Sequence, residues 1–382
     1  MKLSSNFWIL SFSMLFFMIS FNLVMPQLND YFTHLGGGNY KGLLITFFTI
    51  AAALARPFSG KLSDKIGRKN VVLIGYLMAI IVGVLYLSVQ TFYLFLFIRF
   101  FHGFAVGFAP TGATALVTDI LPIEVRGRGM GVWGMFVSLG IGIGQYLGTP
   151  IYLMLGNKGV FIFAIVSVFL SLILISYVKE TLINKHNFKL DHLKISKKDV
   201  LEVGVFPAAI VMFLTAMCSG VVFVLTPDVS EYLNIENKGS FFFFYVITTM
   251  VVRLFSGNIS DRYGRQLVLF IGVLLLVISM VLMTQVNSVF TYSIASIVFG
   301  LATGVNSPAL FAWTADLSHK DRRGVGAGTL FIALEGGIML SSFLTLFFYE
   351  NNKETVFKSF FIGVIPATLA LLFLGYELRK RN

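Results

Sequence analysis

Side chains able to carry a proton or hold a charged ligand occur inside long apolar runs of this sequence. Glu335 stands in Phe331-Ile332-Ala333-Leu334-Glu335-Gly336-Gly337-Ile338, with no other charged residue between Arg323 and Glu350. Desolvation favours the protonated form of a carboxyl group and a nearby cation opposes it. Such a group either switches its proton or holds a cationic ligand, unless it forms a static pair with a buried arginine. Glu335 reads as the only acid deep within an apolar run. Arg99 opens Arg99-Phe100-Phe101-His102-Gly103, and a guanidinium in that setting needs a wet cavity, a carboxylate or backbone carbonyls. His102 follows on nearly the same helical face, as a second titrating group or a satisfied structural one. Asn22 and Gln145 add neutral polar groups that either line the same pathway or bond a neighbouring helix.

The elements that position these residues follow from composition. Of 382 residues, 57% are hydrophobic and 12% charged, too little polar surface to coat a water-soluble globule. Roughly 20 apolar residues at about 1.5 Å each cross a hydrocarbon core of about 30 Å. Twelve runs of that kind are present, so the expected fold class is an all-α membrane protein with twelve transmembrane helices. The first run, from about Phe7 to Leu28, reads as a retained helix. The seventh is expected from about Val203 to Leu225, ending in Thr226-Pro227-Asp228. The fifth and sixth are expected at about Arg128 to Tyr152 and Gly159 to Val178. Gly140, Gly144 and Gly148, at four-residue spacing in the fifth, allow close approach of another helix.

The net charge of +11 does not form a stripe suited to nucleic acid. With the N-terminus inside, 21 of the 29 lysines and arginines fall in segments on the cytoplasmic side and five on the other. The positive-inside rule then places both termini in the cytoplasm. The stretch 179–199, with six lysines and two histidines, is the longest hydrophilic segment and reads as a solvated linker between residues 1–178 and 200–382. Cys218 is the single cysteine, which excludes an intrachain disulfide. No nucleophile elbow, zinc-protease motif or phosphate-binding loop occurs, so neither an enzyme nor a bound cofactor or metal is expected.

A polar turn, Arg56 to Lys69, lies between two apolar runs, and a second version begins 197 residues later at Arg253. At that same offset Gly103, Gly107, Asp119 and Arg126 meet Gly300, Gly304, Asp316 and Arg323. Two six-helix halves in one orientation correspond to parallel repeats about an axis along the membrane normal.

On these residues the chain resembles the major facilitator superfamily over essentially its whole length. Its loop signature, Gly-x-Leu-x-Asp-x-x-Gly-Arg-Lys, is complete at Gly60, Leu62, Asp64, Gly67, Arg68 and Lys69, and Ile259 and Gln266 depart from it in the second copy. The pattern Arg-x-x-x-Gly-x-x-x-Gly is met at Arg99, Gly103 and Gly107. The nearest likeness is to the twelve-helix drug or metabolite:proton antiporter branch, although Gln145 and Thr149 stand where that branch has a proline and a glycine. The resemblance implies the two-bundle facilitator fold and a cytoplasmic latch drawn from Gly60, Asp64, Gly67, Arg68, Asp119, Arg126 and Arg128, with Asp261 and Arg265 in the repeat. It further implies a monomeric, proton-coupled transporter in the plasma (inner) membrane that exports a small amphipathic compound or metabolite. An importer or facilitator for a sugar or organic acid is the alternative transporter, and a non-transporting receptor or scaffold the alternative of another class.

Overall fold

The computed structural model describes residues 4–121, 126–182, 185–189, 193–196, 200–318 and 323–381. Among them every regular element is helical: α1 (Ser5–Leu23), α2 (Leu28–His34), α3 (Lys41–Ile66), α4 (Arg68–Tyr86), α5 (Phe92–Ile120), α6 (Arg126–Tyr177), α7 (Phe206–Tyr232), α8 (Ser240–Tyr263), α9 (Arg265–Thr284), α10 (Val289–Leu317), α11 (Arg323–Phe348), α12 (Lys353–Ser359) and α13 (Phe361–Arg381). Short polar residues start several of them. Ser4 accepts from the Phe7 amide ahead of α1, Thr91 from Leu94 ahead of α5, and Ser288 forms a capping box with Thr291 ahead of α10. Each satisfies an amide that the first helical turn leaves without a partner.

Among the described residues ten helices are long and apolar enough to cross a membrane. The apolar stretch of α6 runs 49 residues, about twice what one crossing needs, and turns at Gly156, where φ is 67° and ψ is −172°. Its two arms are the fifth and sixth expected runs. The apolar part of α8 is the shorter stretch Ser240–Arg253. Counting both arms of α6 and α8 gives the twelve runs read from the sequence. Met154, Phe169, Phe290, Phe347 and Leu372 are all more than half exposed. An outer surface this apolar belongs in lipid, and the chain is a multi-pass membrane protein.

Contacts divide the chain into two compact units, Met1–Tyr31 with Ile50–Ser196, and Phe32–Thr49 with Lys197–Asn382. The first packs Phe7, Leu10 and Met14 of α1 on Tyr76 of α4, Ala109 of α5 and Trp133 of α6. The second packs Val211 of α7, Leu269 of α9, Trp313 of α10, Leu330 of α11 and Ala370 of α13. One hydrogen bond recurs at the repeat offset. Ser59 Oγ donates to the Gly107 carbonyl at 2.8 Å in the first unit, and Ser256 Oγ to the Gly304 carbonyl at 3.2 Å in the second.

Candidate functional site

In the first unit α5 carries Arg99 into a fully buried position. Its Nη1 lies 3.3 Å from His102 Nδ1, its Nη2 donates to Met25 Sδ at 3.6 Å, and the guanidinium stands 5.8 Å from the centre of the Phe21 ring. His102 Nδ1 also lies 3.2 Å from the Tyr86 hydroxyl. The three-residue spacing thus does bring Arg99 and His102 together, and Tyr86 of α4 joins them. In this conformation the guanidinium is sealed from solvent.

The glycines of α6 explain how Gln145 reaches Asn22. A Cβ on Gly144 would lie 2.7 Å from the Ile19 carbonyl oxygen and 2.8 Å from Asn22 Cβ, and one on Gly140 would lie 2.6 Å from the Leu15 carbonyl oxygen. Only hydrogen fits there, so the α1 and α6 backbones meet closely. Gln145 Nε2 then donates to Asn22 Oδ1 at 3.0 Å, and Asn22 Nδ2 to the Met18 carbonyl at 2.8 Å. Further along the seam Gln27 Nε2 donates to Thr149 Oγ1 at 2.9 Å. Of the two alternatives for Gln145, a bond to a neighbouring helix is the one formed here. Its Oε1 and that of Gln27 are buried without a hydrogen bond, and can accept from a donor that enters the seam.

In the second unit Glu335 is buried on α11, 6% exposed. The expectation that it is the only acid deep in a span is corrected. Helix α7 continues through Pro227 to Tyr232, which leaves Asp228 inside the helix and 3% exposed. A proline removes one backbone donor and usually ends a helix, and that signal put the end of the run seven residues too early. Asp228 Oδ2 accepts from Lys41 Nζ at 2.6 Å and from the Tyr349 hydroxyl at 2.5 Å. Lys41 is the first residue of α3.

Of the expected latch, the side chains of Asp64, Arg126, Arg128 and Asp261 lie outside the described residues. The described members pair within a unit: Arg68 with Asp119 in the first, and Arg265 Nε with Asp316 Oδ2 at 3.1 Å in the second. These two ion pairs sit at the repeat offset. Gly67 (φ 118°) and Gly264 (φ 88°) occupy the left-handed backbone region ahead of α4 and α9, where glycine is favoured. Gly60 lies within α3, and nothing lies near the space its Cβ would occupy, so this conformation does not itself require a glycine there.

Sequence reasoning missed Glu180. Its Oε1 accepts from the Arg68 amide and its Oε2 from the Lys69 amide, both at 3.1 Å, which caps α4 with a carboxylate. The segment read as a solvated linker packs back here. Lys185 pairs with Glu180 at 3.8 Å, the His186 amide donates to the Lys65 carbonyl at 2.9 Å, and Lys61 donates to the Lys194 carbonyl. A usable signal existed, because Glu377 stands at the repeat offset from Glu180.

The family model of the Major Facilitator Superfamily matches residues 10–227 and again 208–382. The chain belongs to the major facilitator superfamily. This facilitator is 28% identical over 314 residues, 79% of its length and 78% of the relative's, to the multi-drug resistance efflux pump PmrA of Streptococcus pneumoniae. It is 26% identical over 147 residues, 38% of each chain, to the quinolone resistance protein NorA of Staphylococcus aureus. Among solved structures it resembles a mutant form of the nucleoside transporter NupG, with a TM-score of 0.77 at 13% identity, over 97% of this chain and 99% of that one. That last likeness concerns the fold. The facilitator is therefore a membrane transporter for small molecules and not an enzyme.

Proposed function

We propose that this facilitator is a proton-coupled exporter of small amphipathic compounds that works by alternating access of its two halves. The observation that carries the reading is the likeness to the efflux pump PmrA over 79% of the chain. The buried groups give it a mechanism. A coupled cycle needs side chains that are charged in one access state and neutral in another, and Glu335 of α11 and the Arg99–His102 pair of α5 offer such groups at membrane depth. Asn22 and Gln145 supply hydrogen-bonding groups for an uncharged part of the solute. Asp64, Arg68, Asp119, Arg126 and Arg128, with Asp261 and Arg265 and the glycines Gly60 and Gly67, act as a cytoplasmic latch that closes in one state and opens in the other. The charge distribution favours both termini on the cytoplasmic side, and the reading takes the protein as a monomer in the plasma membrane.

The test is flux in proteoliposomes with a quinolone and a lipophilic dye as probes, under pH gradients of both polarities. Movement of a probe against the direction of the imposed proton gradient supports exchange of solute for proton. Flux that ignores the gradient leaves a facilitator without proton coupling.

A further inference from the structure

Two side chains converge on one ring nitrogen in the first unit. Arg99 Nη1 lies 3.3 Å from His102 Nδ1, and the Tyr86 hydroxyl lies 3.2 Å from the same atom. A guanidinium can only donate, so Nδ1 is an acceptor here. The imidazole is therefore neutral, with its one proton on Nε2. The guanidinium also touches the Met25 thioether at 3.6 Å and the Phe21 ring at 5.8 Å, both uncharged. Helix packing does not call for this cluster. At the repeat offset Tyr86, Arg99 and His102 meet Met283, Ser296 and Phe299, all buried on α9 and α10. The second unit thus fills the corresponding positions with a methionine, a serine and a phenylalanine, whereas the first buries a cation there at a cost in desolvation.

A second proton on the ring changes these contacts. On Nδ1 it would set one donor against another and bring two positive groups together in a buried place. Proton and guanidinium therefore cannot share the atom. A hydroxyl both donates and accepts, so Tyr86 donates to Nδ1 while the ring is neutral and accepts from Nδ1–H once it is charged. Water has room beside the ring. A cavity of about 10 Å³, the size of one water molecule, lies between Ser20 of α1, Tyr86, His102 and Phe161 of α6.

We propose that His102 Nδ1 is a proton site for which the Arg99 guanidinium competes, with Tyr86 as the positioning residue that holds the ring in both states. The proton adds from water to the Nδ1 lone pair, and the hydrogen bond from Arg99 to that lone pair breaks. The guanidinium keeps its charge throughout, and return of the proton to water restores the contact. Within the pair, the histidine carries the proton and the arginine is the group displaced. Among the described residues the titratable groups against His102 are Arg99 of α5 and Tyr86 of α4, while α1 presents Ser20 and Phe21 and α6 presents Phe161. The use of this site in transport rests on the proton-coupled reading, whereas the exclusion itself is local to the first unit.

The test is nitrogen NMR of the full-length chain in lipid nanodiscs, isotopically labelled at histidine or at arginine and titrated from about pH 8 to about pH 4.5. The two residues are identified by the signals lost in His102→Gln and in Arg99→Lys. At the alkaline end His102 should show the Nε2–H tautomer alone, and Arg99 an N–H signal protected from exchange with water. Acid should protonate Nδ1 and abolish the Arg99 protection in one step. His102→Gln offers an acceptor that takes no proton, so Arg99 should stay protected throughout its titration. Arg99→Met should raise the proton affinity of His102 about tenfold or more and admit the Nδ1–H tautomer. Tyr86→Phe should lower that affinity about threefold, and an unchanged affinity would remove Tyr86 from the site. The titration of the parent chain decides the exclusion if Arg99→Met fails to fold. Protection of Arg99 that persists while Nδ1 carries a proton overturns the proposal, as does a His102 that takes no second proton down to about pH 4.5. The full signature in a chain whose flux ignores a pH gradient would count against the coupling reading alone, and coupled flux without the signature against the exclusion alone.

Discussion

The Glu180 carboxylate occupies the space that a side chain on Gly67 would need, with its two oxygens 3.1 Å from the amides of Arg68 and Lys69. The glycine is therefore required twice, for a φ of 118° and for the seat it leaves open. Gly67→Ala should lower stability by about 2 kcal/mol or more, from backbone strain plus loss of the cap. Glu180→Ala should cost about 1 to 2 kcal/mol through the cap alone. Thermal unfolding of the purified protein checks both. Equal stability of Gly67→Ala and the parent would mean that the carboxylate has another seat.

The α1–α6 seam supplies an internally controlled comparison. Gly144→Ala places a methyl group 2.7 Å from the Ile19 carbonyl oxygen, whereas nothing lies within 4 Å of a Cβ on Gly131 in the same helix. The first should destabilise the protein by about 1 to 3 kcal/mol through overpacking. The second should be neutral or slightly stabilising, because alanine favours a helix over glycine by about 1 kcal/mol. A matched pair of melting curves reads the difference.

Asp64→Asn should slow transport while membrane insertion stays intact, since insertion depends on the apolar spans. Asp119→Asn should slow it too, because Asp119 pairs with Arg68 and accepts from Thr181 Oγ1 at 2.7 Å. Asp316 is more exposed than Asp119 and its pair with Arg265 is longer, so Asp316→Asn should have the smaller effect. Initial flux rates at matched protein amounts provide the ranking.

Arg99 is sealed here among Met25, His102 and Phe21. A working cycle should wet it at some stage. Arg99→Cys in a Cys218→Ala chain should resist an impermeant thiol reagent at rest and react during turnover with a solute. Protection in every condition would make the guanidinium a structural anchor.

How much the sequence disclosed depended on the range of each signal. The spans, the 197-residue repeat and the glycine seam rest on apolar length, a fixed offset and four-residue spacing, all local or periodic. Arg99 and His102 were legible as neighbours for the same reason. Asp228 was not, because Pro227 mimics a helix end and the partner Lys41 lies 187 positions away in the chain. Glu180 was hidden in a segment whose lysines dominate its composition, and its seat is made of backbone amides that carry no side-chain signature.

Glu335→Gln tests the central claim most directly. The amide keeps the shape of the protonated acid and removes the ability to alternate between charged and neutral forms. Proteoliposomes loaded with an exchangeable probe solute should show substrate binding and downhill exchange within about twofold of the parent, with gradient-driven accumulation lost to about a tenth or less. Full uphill accumulation by a well-folded Glu335→Gln protein under an imposed pH gradient would contradict the account, since coupling would then run through another group or another ion.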